Sequence, residues 1–154
     1  IADVSGHSVG AAIGMVMARC LIQSEAHKND LPSRIAARVN ELLNRDLTDP
    51  GMFVTAFLAV YEERTGRFHY TNAGHNPPLL FRAATGSITP LRGGSLGLGI
   101  LPATRYFDRV ETLNSGDMLV LYTDGLTEAR SAEGEMFGVD RLKKAVSACS
   151  AMTA

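Results

Sequence analysis

The feature of this sequence that most restricts its fold is a succession of strand-like segments joined by turn residues between positions 53 and 125. The segment FVTAFLAVYEE, rich in β-branched and aromatic residues, leads through the turn ERTG into RFHYTNA, which predicts a β-hairpin. PPLLFR and SITPL predict a second hairpin. RYFDRVETL and DMLVLYTDG predict a third hairpin across Asn114, Ser115 and Gly116. The middle of the chain is therefore expected to form antiparallel sheets.

Helix-like segments flank these strands. Residues 9–24 are apolar on nearly every face of a helix, so this helix is expected to be buried on most sides. Asp30 is expected to cap a second, amphipathic helix, and a last helix is expected near residues 139–149. Strands bracketed by helices favour an α+β fold of layered sheets over a doubly wound parallel sheet.

Composition narrows the classes of partner. The net charge is -1 and no block of like charge occurs, which argues against binding to nucleic acid or to a membrane surface. The apolar run from Val9 to Ile22 is interrupted by two glycines and an arginine, and it predicts a core helix rather than a membrane span. Cys20 and Cys149 have no metal-ligand spacing and are expected to be buried, which fits a reducing compartment and a cytoplasmic location.

Two apolar segments end at an aspartate that is followed at once by turn residues: Asp3 in IADVSGHS and Asp124 in LVLYTDG. Carboxylates at strand ends can converge from neighbouring strands, and oxygen ligands suit Mg²⁺ or Mn²⁺, which need few protein ligands. The alternative is that each aspartate only caps the turn or helix behind it. The residues alone leave both interpretations open.

His7 and His75 each follow a glycine in a polar turn. Zinc sites need several His or Cys ligands at recognisable spacings, and this sequence shows no such pattern. A general-acid role for these histidines therefore stands beside the alternative of a hydrogen-bonded structural role. The stretch RGGSLGLG lacks the glycine order of nucleotide-binding loops and predicts close backbone packing instead.

The chain contains, in this order, the motifs ADVSGHSVGAA, MFVTAFLAVYEERTGRFHYTNAGHNPPLL, GDMLVLYTDGLTEAR and GEMFGVDRL. As a set they resemble motifs of the bacterial PPM-type (PP2C-like) serine/threonine phosphatases of the SpoIIE/RsbU class, over residues 1 to about 149. The resemblance implies a PP2C-like α/β/β/α sandwich of antiparallel sheets flanked by helices. It also implies a binuclear Mn²⁺ or Mg²⁺ centre at one end of that sandwich.

The resemblance assigns site residues as well. Asp3 would bridge the metals with its carboxylate, Val4 would contribute its carbonyl, and Asp124 would supply a further ligand. His7 is the candidate catalytic residue. The residues expected to support the site are Gly6, Asn72, Gly74, His75, Asn76 and Gly125.

Two departures from the family pattern bear on completeness. The usual G-H-G is Gly6-His7-Ser8 here, and a serine can cap the next helix but disfavours positive φ. Family members also carry an acidic G-G-D-x-x-D motif on a strand before D-V-S-G-H-G, and this chain starts after that point. Residues 1–154 are therefore expected to be a partial PP2C-like domain, truncated at both ends and without the N-terminal acidic strand.

The resemblance implies hydrolysis of phosphoserine or phosphothreonine on a bacterial signalling protein, with a STAS-type anti-anti-sigma factor as the expected substrate. A metal-activated water would be the nucleophile. Family members suggest an upstream sensor or receiver domain and allow a homodimer. Two alternatives stay open: a degenerate domain that binds without turnover, and a sensor-output module controlled by dimerisation through the two helices after Asp3.

Overall fold

The computed structural model describes residues 1–46 and 51–150. Its contacts divide the chain into two compact units, and each is described by itself. The first unit comprises Ile1–His75 and Gly93–Thr112, and the second comprises Asn76–Arg92 and Leu113–Ala154. The assignment of residues 1–154 to one partial phosphatase domain stays a prediction.

The described residues contain seven strands and four helices. In chain order they are β1 (Ala2–Val4), α1 (Val9–Ala26), α2 (Pro32–Asp46), β2 (Val54–Glu62), β3 (Arg67–Ala73), β4 (Leu79–Arg82), β5 (Ser87–Pro90), β6 (Arg109–Thr112), β7 (Met118–Val120), α3 (Asp124–Thr127) and α4 (Gly138–Ser150).

The first unit is an antiparallel sheet in the order β1-β2-β3-β6, with α1 and α2 packed against it. The predicted hairpin of β2 and β3 is confirmed, with Phe57 opposite Asn72 and Glu62 opposite Arg67. Small and aliphatic side chains from the sheet and both helices form its core. They include Val4, Ala18, Ile35, Val39, Leu43, Val54, Ala56 and Leu98.

The amphipathic helix α2 is confirmed, but its predicted N-cap is wrong. The N–H of Ser33 donates to Asp108 Oδ1 at 2.8 Å, and the Ser33 hydroxyl donates to the other oxygen of the same carboxylate. Asp108 lies just before β6, so the first turn of α2 is capped across the fold and not by the neighbouring Asp30. A contact between residues so far apart in sequence leaves no local signal.

Helix α1 is not buried on most sides, contrary to the prediction. Its buried residues are Ala11, Gly14, Ala18 and Glu25, whereas Val9, Ile13 and Val16 are 80%, 57% and 61% exposed. The small residues allow close packing, since a β-carbon added at Gly14 would lie 2.8 Å from Met52 Sδ. One narrow face therefore contacts the sheet and α2, and the large aliphatic side chains of the other faces reach solvent.

By length and composition alone, α1 would also pass as a membrane span, with a mean hydropathy of 1.2. Helices in the cores of other proteins can be equally long and apolar, and 22% of this helix is buried. Here α1 packs against α2, β1 and β2. We therefore describe it as a helix of the first unit.

The two cysteines were predicted to be buried, and both are exposed. Cys20 lies off the small-residue face of α1, and Cys149 lies next to the end of α4. Apolar composition of a helix does not say which of its faces is covered. The cytoplasmic location inferred partly from cysteine burial stays a prediction.

The second unit is a sheet in the order β5-β4-β7 with α3 and α4. The predicted hairpin of β4 and β5 is confirmed, with Leu79 opposite Pro90 and Arg82 opposite Ser87. The predicted last helix is confirmed as α4, which packs on β4. Its core consists of Leu79, Phe81, Tyr122, Leu142 and Val146.

The third predicted hairpin is wrong, because β6 pairs with β3 and β7 pairs with β4. The turn itself forms, since the N–H of Asp117 donates to the carbonyl of Asn114 at 3.0 Å and Gly116 has a φ of +82°. The Asp117 carboxylate accepts hydrogen bonds from Arg82 and from the N–H of Ala83, both at 2.9 Å. These contacts attach the start of β7 to β4.

Candidate active site

Strand β1 presents Asp3 at the edge of the first sheet. Asp3 is the direct partner of Thr55 in β2 and is partly buried. Just beyond it, the N–H of Ser5 donates to the carbonyl of Phe53, and the N–H of Phe53 donates to Ser5 Oγ, both at 2.9 Å. These reciprocal bonds hold the end of β1 in register, so the position of Asp3 is set by backbone pairing.

The carbonyl of Val4 points away from β2. Ser5 donates to Phe53 and Ile1 accepts from Phe57, so residues 1, 3 and 5 share hydrogen bonds with the neighbouring strand. In an antiparallel ladder the residue between two such pairs directs its peptide groups to the other side. Because β1 is the outer strand of the sheet order in the described residues, the Val4 carbonyl faces the open edge.

A tight turn connects β1 to α1. Gly6 has a φ of +87°, a conformation that favours glycine, and Ser8 has a φ of -83° and caps the helix. The N–H of Ala11 donates to Ser8 Oγ at 3.2 Å. The serine that replaces the usual glycine of the family motif therefore requires no positive φ and completes the helix N-terminus.

Ser8→Ala is expected to lower the free energy of unfolding by about 1 kcal/mol, because it removes this cap, whereas Ser8→Gly should cost only a few tenths. Urea unfolding followed by circular dichroism measures both. Ser24→Ala, an exposed change within the same helix, is the control. Equal stability of the Ser8→Ala variant and the wild type would contradict the capping role.

A cleft of about 340 Å³ lies beside this turn. It is lined by Asp3, Val4, Gly6, His7, Ser8, Ala11, Ala12 and Met15. Among these described residues there is one carboxylate and no lysine or arginine, which favours a cation over an anion. His7 is exposed at this cleft, so the structure brings it together with Asp3 and Val4, and its catalytic role stays a prediction.

Side-chain and backbone hydrogen bonds hold the turn Asn72–His75, in which Asn72, Ala73 and His75 are buried. Asn72 Oδ1 accepts from the N–H of His75 at 2.8 Å, and Asn72 Nδ2 donates to the His75 carbonyl at 3.0 Å. His75 is 5% exposed, and its Nδ1 lies 2.9 Å from Thr55 Oγ1. The Thr55 hydroxyl is in turn 3.4 Å from the carbonyl oxygen of Asp3. The predicted supporting residues Asn72 and His75 are thereby connected to Asp3.

Glycines of the stretch RGGSLGLG pack against this turn, which confirms the prediction of close backbone packing. A β-carbon added at Gly93 would lie 2.5 Å from the β-carbon and from the carbonyl oxygen of Asn72. Gly74 has a φ of +67°, and a β-carbon there would lie 2.9 Å from the N atom of Gly97. Glycine is required at these positions because any side chain would displace the turn.

Thr71 shares this region but makes no comparable contact. Its side chain is 1% exposed, and its hydroxyl has no hydrogen-bond partner among residues 1–46 and 51–150. Thr71→Val is expected to raise the free energy of unfolding by about 1 kcal/mol, because an unsatisfied buried hydroxyl is removed. Chemical unfolding measures the change, and a destabilised variant would contradict it.

Asp124, Gly125 and Asn76 lie in the second unit. Asp124 is exposed and begins α3, where its carbonyl accepts from the N–H of Glu128 at 2.7 Å. Gly125 follows it in the helix, and Asn76 precedes β4. The convergence of Asp124 with Asp3 stays a prediction, as do the supporting roles of the other two residues.

The oxygen donors of the first unit are of the type that hard divalent cations bind. The Asp3 carboxylate and the Val4 carbonyl are oxygen donors on adjacent residues of one cleft, and Mg²⁺ or Mn²⁺ in proteins keeps several waters. Within the part of the chain that the structure describes, no three His, Cys, Asp or Glu side chains form a group able to hold a metal. Beyond the Asp3 carboxylate, a cation held by the first unit would depend on carbonyl and water ligands.

The family model of Stage II sporulation protein E (SpoIIE) matches residues 1–154. The chain belongs to the SpoIIE family. The phosphoserine phosphatase RsbU of Bacillus subtilis (strain 168) is 33% identical over 134 residues, which cover 87% of this chain and 40% of RsbU. This SpoIIE-family chain thus spans less than half the length of that relative.

Solved structures confirm the predicted α+β fold of antiparallel sheets and helices. The RsbU and RsbW domains of Rv1364c from Mycobacterium tuberculosis match with a TM-score of 0.80 and 25% identity, covering 97% of this chain and 41% of that one. The SiaA-PP2C domain of Pseudomonas aeruginosa matches with a TM-score of 0.80 and 22% identity, covering 95% and 58%. The SpoIIE-family chain therefore has the PP2C fold.

Two further structures of this fold hold divalent metal. RsbX in complex with magnesium has a TM-score of 0.65 and 21% identity, covering 81% of this chain and 58% of RsbX. The catalytic domain of the serine threonine protein phosphatase PstP in complex with 2 manganese ions has a TM-score of 0.63 and 19% identity, covering 86% and 69%. At these identities the likeness shows the fold alone.

Sequence reasoning missed Thr55. It lies in the strand FVTAFLAVYEE, where alternation marks it only as a strand residue. The signal that could have found it is the antiparallel register between β1 and β2, which places Thr55 directly opposite Asp3.

Proposed function

We propose that this chain is the catalytic part of a metal-dependent serine/threonine protein phosphatase. The observation that carries the proposal is the pairing of the Asp3 carboxylate and the outward-facing Val4 carbonyl at one cleft, in a chain of the SpoIIE family. Relatives and structures of the same fold are named as phosphatases, and some hold magnesium or manganese.

Asp3, Val4 and Asp124 are the residues that would hold Mn²⁺ or Mg²⁺. Such ions lower the pKa of bound water and neutralise the charge of phosphoryl oxygens. His7, which is exposed at the cleft, would donate a proton to the leaving serine or threonine oxygen of the substrate. The proposed nucleophile is a metal-activated water, so the proposal needs no covalent phosphoenzyme. Ser8 serves as a helix cap.

The proposed substrate is a phosphorylated signalling protein of the STAS type. The name of the relative RsbU, a phosphoserine phosphatase, supports the phosphoserine part of this proposal. An upstream sensor or receiver domain, a homodimer and a cytoplasmic location belong to the same proposal. The first two follow from the family resemblance, and the cytoplasmic location follows from the cysteine usage of the sequence.

The test is Mn²⁺-dependent hydrolysis of p-nitrophenyl phosphate and of a phosphoserine-bearing STAS protein by the full-length protein. We expect turnover that EDTA abolishes and that added Mn²⁺ restores. Turnover of p-nitrophenyl phosphate without turnover of the STAS protein would reject the substrate class and keep the enzyme class.

A catalytically degenerate binding module is the second candidate. It is favoured by the finding that the described residues contain no group of three or more His, Cys, Asp or Glu side chains able to hold a metal. The assay above separates the two candidates. Binding of the phosphoprotein with no turnover at any Mn²⁺ or Mg²⁺ concentration would support the module.

A further inference from the structure

In the first unit, the Thr55 hydroxyl lies between the His75 ring and the backbone carbonyl of Asp3. Thr55 Oγ1 lies 2.9 Å from His75 Nδ1 and 3.4 Å from the carbonyl oxygen of Asp3. We infer that Thr55 is a positioning residue for the metal-ligand pair Asp3 and Val4, and that His75 holds the Thr55 hydroxyl in place. The inference rests on the proposed function, because it assigns these residues a role toward the cation that the function requires.

The register of β1 and β2 places Thr55 where it can act on Asp3. The two residues are direct partners, and the backbone bonds on either side of them make theirs a hydrogen-bonded pair. Side chains of such partners lie on the same face of the sheet, with β-carbons about 5 Å apart. The Thr55 side chain is therefore the cross-strand neighbour of the Asp3 carboxylate.

His75 is itself held on its main chain. Asn72 accepts from its N–H at 2.8 Å and donates to its carbonyl at 3.0 Å, and all four polar atoms are buried. Gly93 packs so closely against Asn72 that a β-carbon added at Gly93 would lie 2.5 Å from the β-carbon of Asn72. These contacts hold the backbone of His75, from which the imidazole reaches Thr55.

The contact with Asp3 acts on the peptide group between Asp3 and Val4. The carbonyl oxygen of Asp3 belongs to that peptide, so fixing it fixes the peptide plane. That plane joins the Cα atom that bears the Asp3 side chain to the Cα atom next to the Val4 carbonyl. The Thr55 hydroxyl thus adds a side-chain contact to the backbone bonds that already pair the two strands, and it helps to orient both predicted ligands in the way that outer contacts orient the ligands of metal sites.

The test measures Mn²⁺ affinity of the full-length protein by titration calorimetry, together with unfolding in metal-free buffer. Thr55→Val keeps the shape and removes the hydroxyl, and it is expected to weaken Mn²⁺ binding by about tenfold or more. Thr55→Ser keeps the hydroxyl and should bind Mn²⁺ like the wild type. Thr71→Val is the matched control in the neighbouring strand, and its Mn²⁺ affinity should not change.

A pair of His75 variants tests the second step. Asparagine places a polar atom where His75 has Nδ1, whereas glutamine places its polar atoms one bond further along. His75→Asn should therefore retain most of the Mn²⁺ affinity, and His75→Gln should lose about as much as Thr55→Val. Combining His75→Gln with Thr55→Val should cause no further loss, because both changes break one chain of contacts.

The outcomes separate this inference from the proposed function. Wild-type Mn²⁺ affinity in Thr55→Val, with only a lower stability, would overturn the inference and leave the phosphatase proposal standing. Equal losses in Thr55→Ser and Thr55→Val would overturn it as well. A wild-type protein that binds no Mn²⁺ would overturn both. If Thr55→Val does not fold, the two His75 variants decide.

Discussion

Asp3→Asn is expected to abolish Mn²⁺-dependent phosphatase activity and to weaken Mn²⁺ binding by about a hundredfold or more. Changes to residues that only orient a metal ligand already cost about 10- to 100-fold, and Asp3 is the carboxylate of the candidate cleft. The fold should persist, because the register of β1 is held by backbone bonds and by Ser5. Titration calorimetry and steady-state kinetics of the full-length protein measure the two effects.

Asp30→Asn is the matched control for this prediction. It removes the same charge from an exposed position of the same unit, away from the cleft. It should leave both Mn²⁺ affinity and turnover unchanged. Wild-type Mn²⁺ affinity in the Asp3→Asn variant would remove Asp3 from the metal site and with it the proposed mechanism.

Turn chemistry predicted the two hairpins whose strands are also neighbours in space. ERTG joins β2 to β3, and the Thr85-Gly86 turn joins β4 to β5. The turn at Asn114–Gly116 is equally clear in the sequence, yet its two strands enter different sheets. A local signal fixes the reversal of the chain, but long-range contacts such as that between Asp117 and Arg82 decide which strand pairs with which.

Helix α1 shows the limit of reasoning from apolar periodicity. An all-apolar helix was expected to be covered on most sides, and instead its buried residues are three small ones and Glu25. Packing depends on how closely two backbones can approach, which favours Ala11, Gly14 and Ala18 over the larger Ile13 and Val16. Hydrophobicity alone does not show which face of such a helix is buried.

The candidate site was predictable where it is local in sequence. Asp3 and Val4 end β1, Gly6 and His7 lie in the turn that follows, and the structure places all of them at one cleft. Thr55 was not predictable, because its role depends on its register opposite Asp3. The same limit applies to Asp124, which belongs to the second unit, whereas Asp3 belongs to the first.

Asp117→Ala is expected to lower the free energy of unfolding by about 1.5 kcal/mol at neutral pH. The Asp117 side chain is 2% exposed and accepts from the N–H groups of Asn114 and Ala83 and from Arg82. Removing it takes an ionised acceptor away from three donors, and hydrogen bonds to a charged group contribute about 1.5–3 kcal/mol. The expected loss lies at the low end because Asn114 and Ala83 are exposed and Arg82 is 27% exposed, so water can reach all three donors.

The same contacts make this contribution depend on pH. The hydrogen bond from the Asn114 backbone is the largest cause that holds the pKa of Asp117 below its usual value; burial opposes it, and Ala83 and Arg82 add to it. A carboxylate whose pKa is lower in the folded state stabilises the fold above its unfolded pKa of about 3.9, and this stabilisation is lost as the pH falls through the folded value.

The gap in stability between the wild type and Asp117→Asn should therefore be constant near neutral pH and should narrow below about pH 4. Urea unfolding at a series of pH values measures it. A gap that widens as the pH falls would reverse the predicted sign, and would mean that protonated Asp117 is the form which the turn between β6 and β7 stabilises.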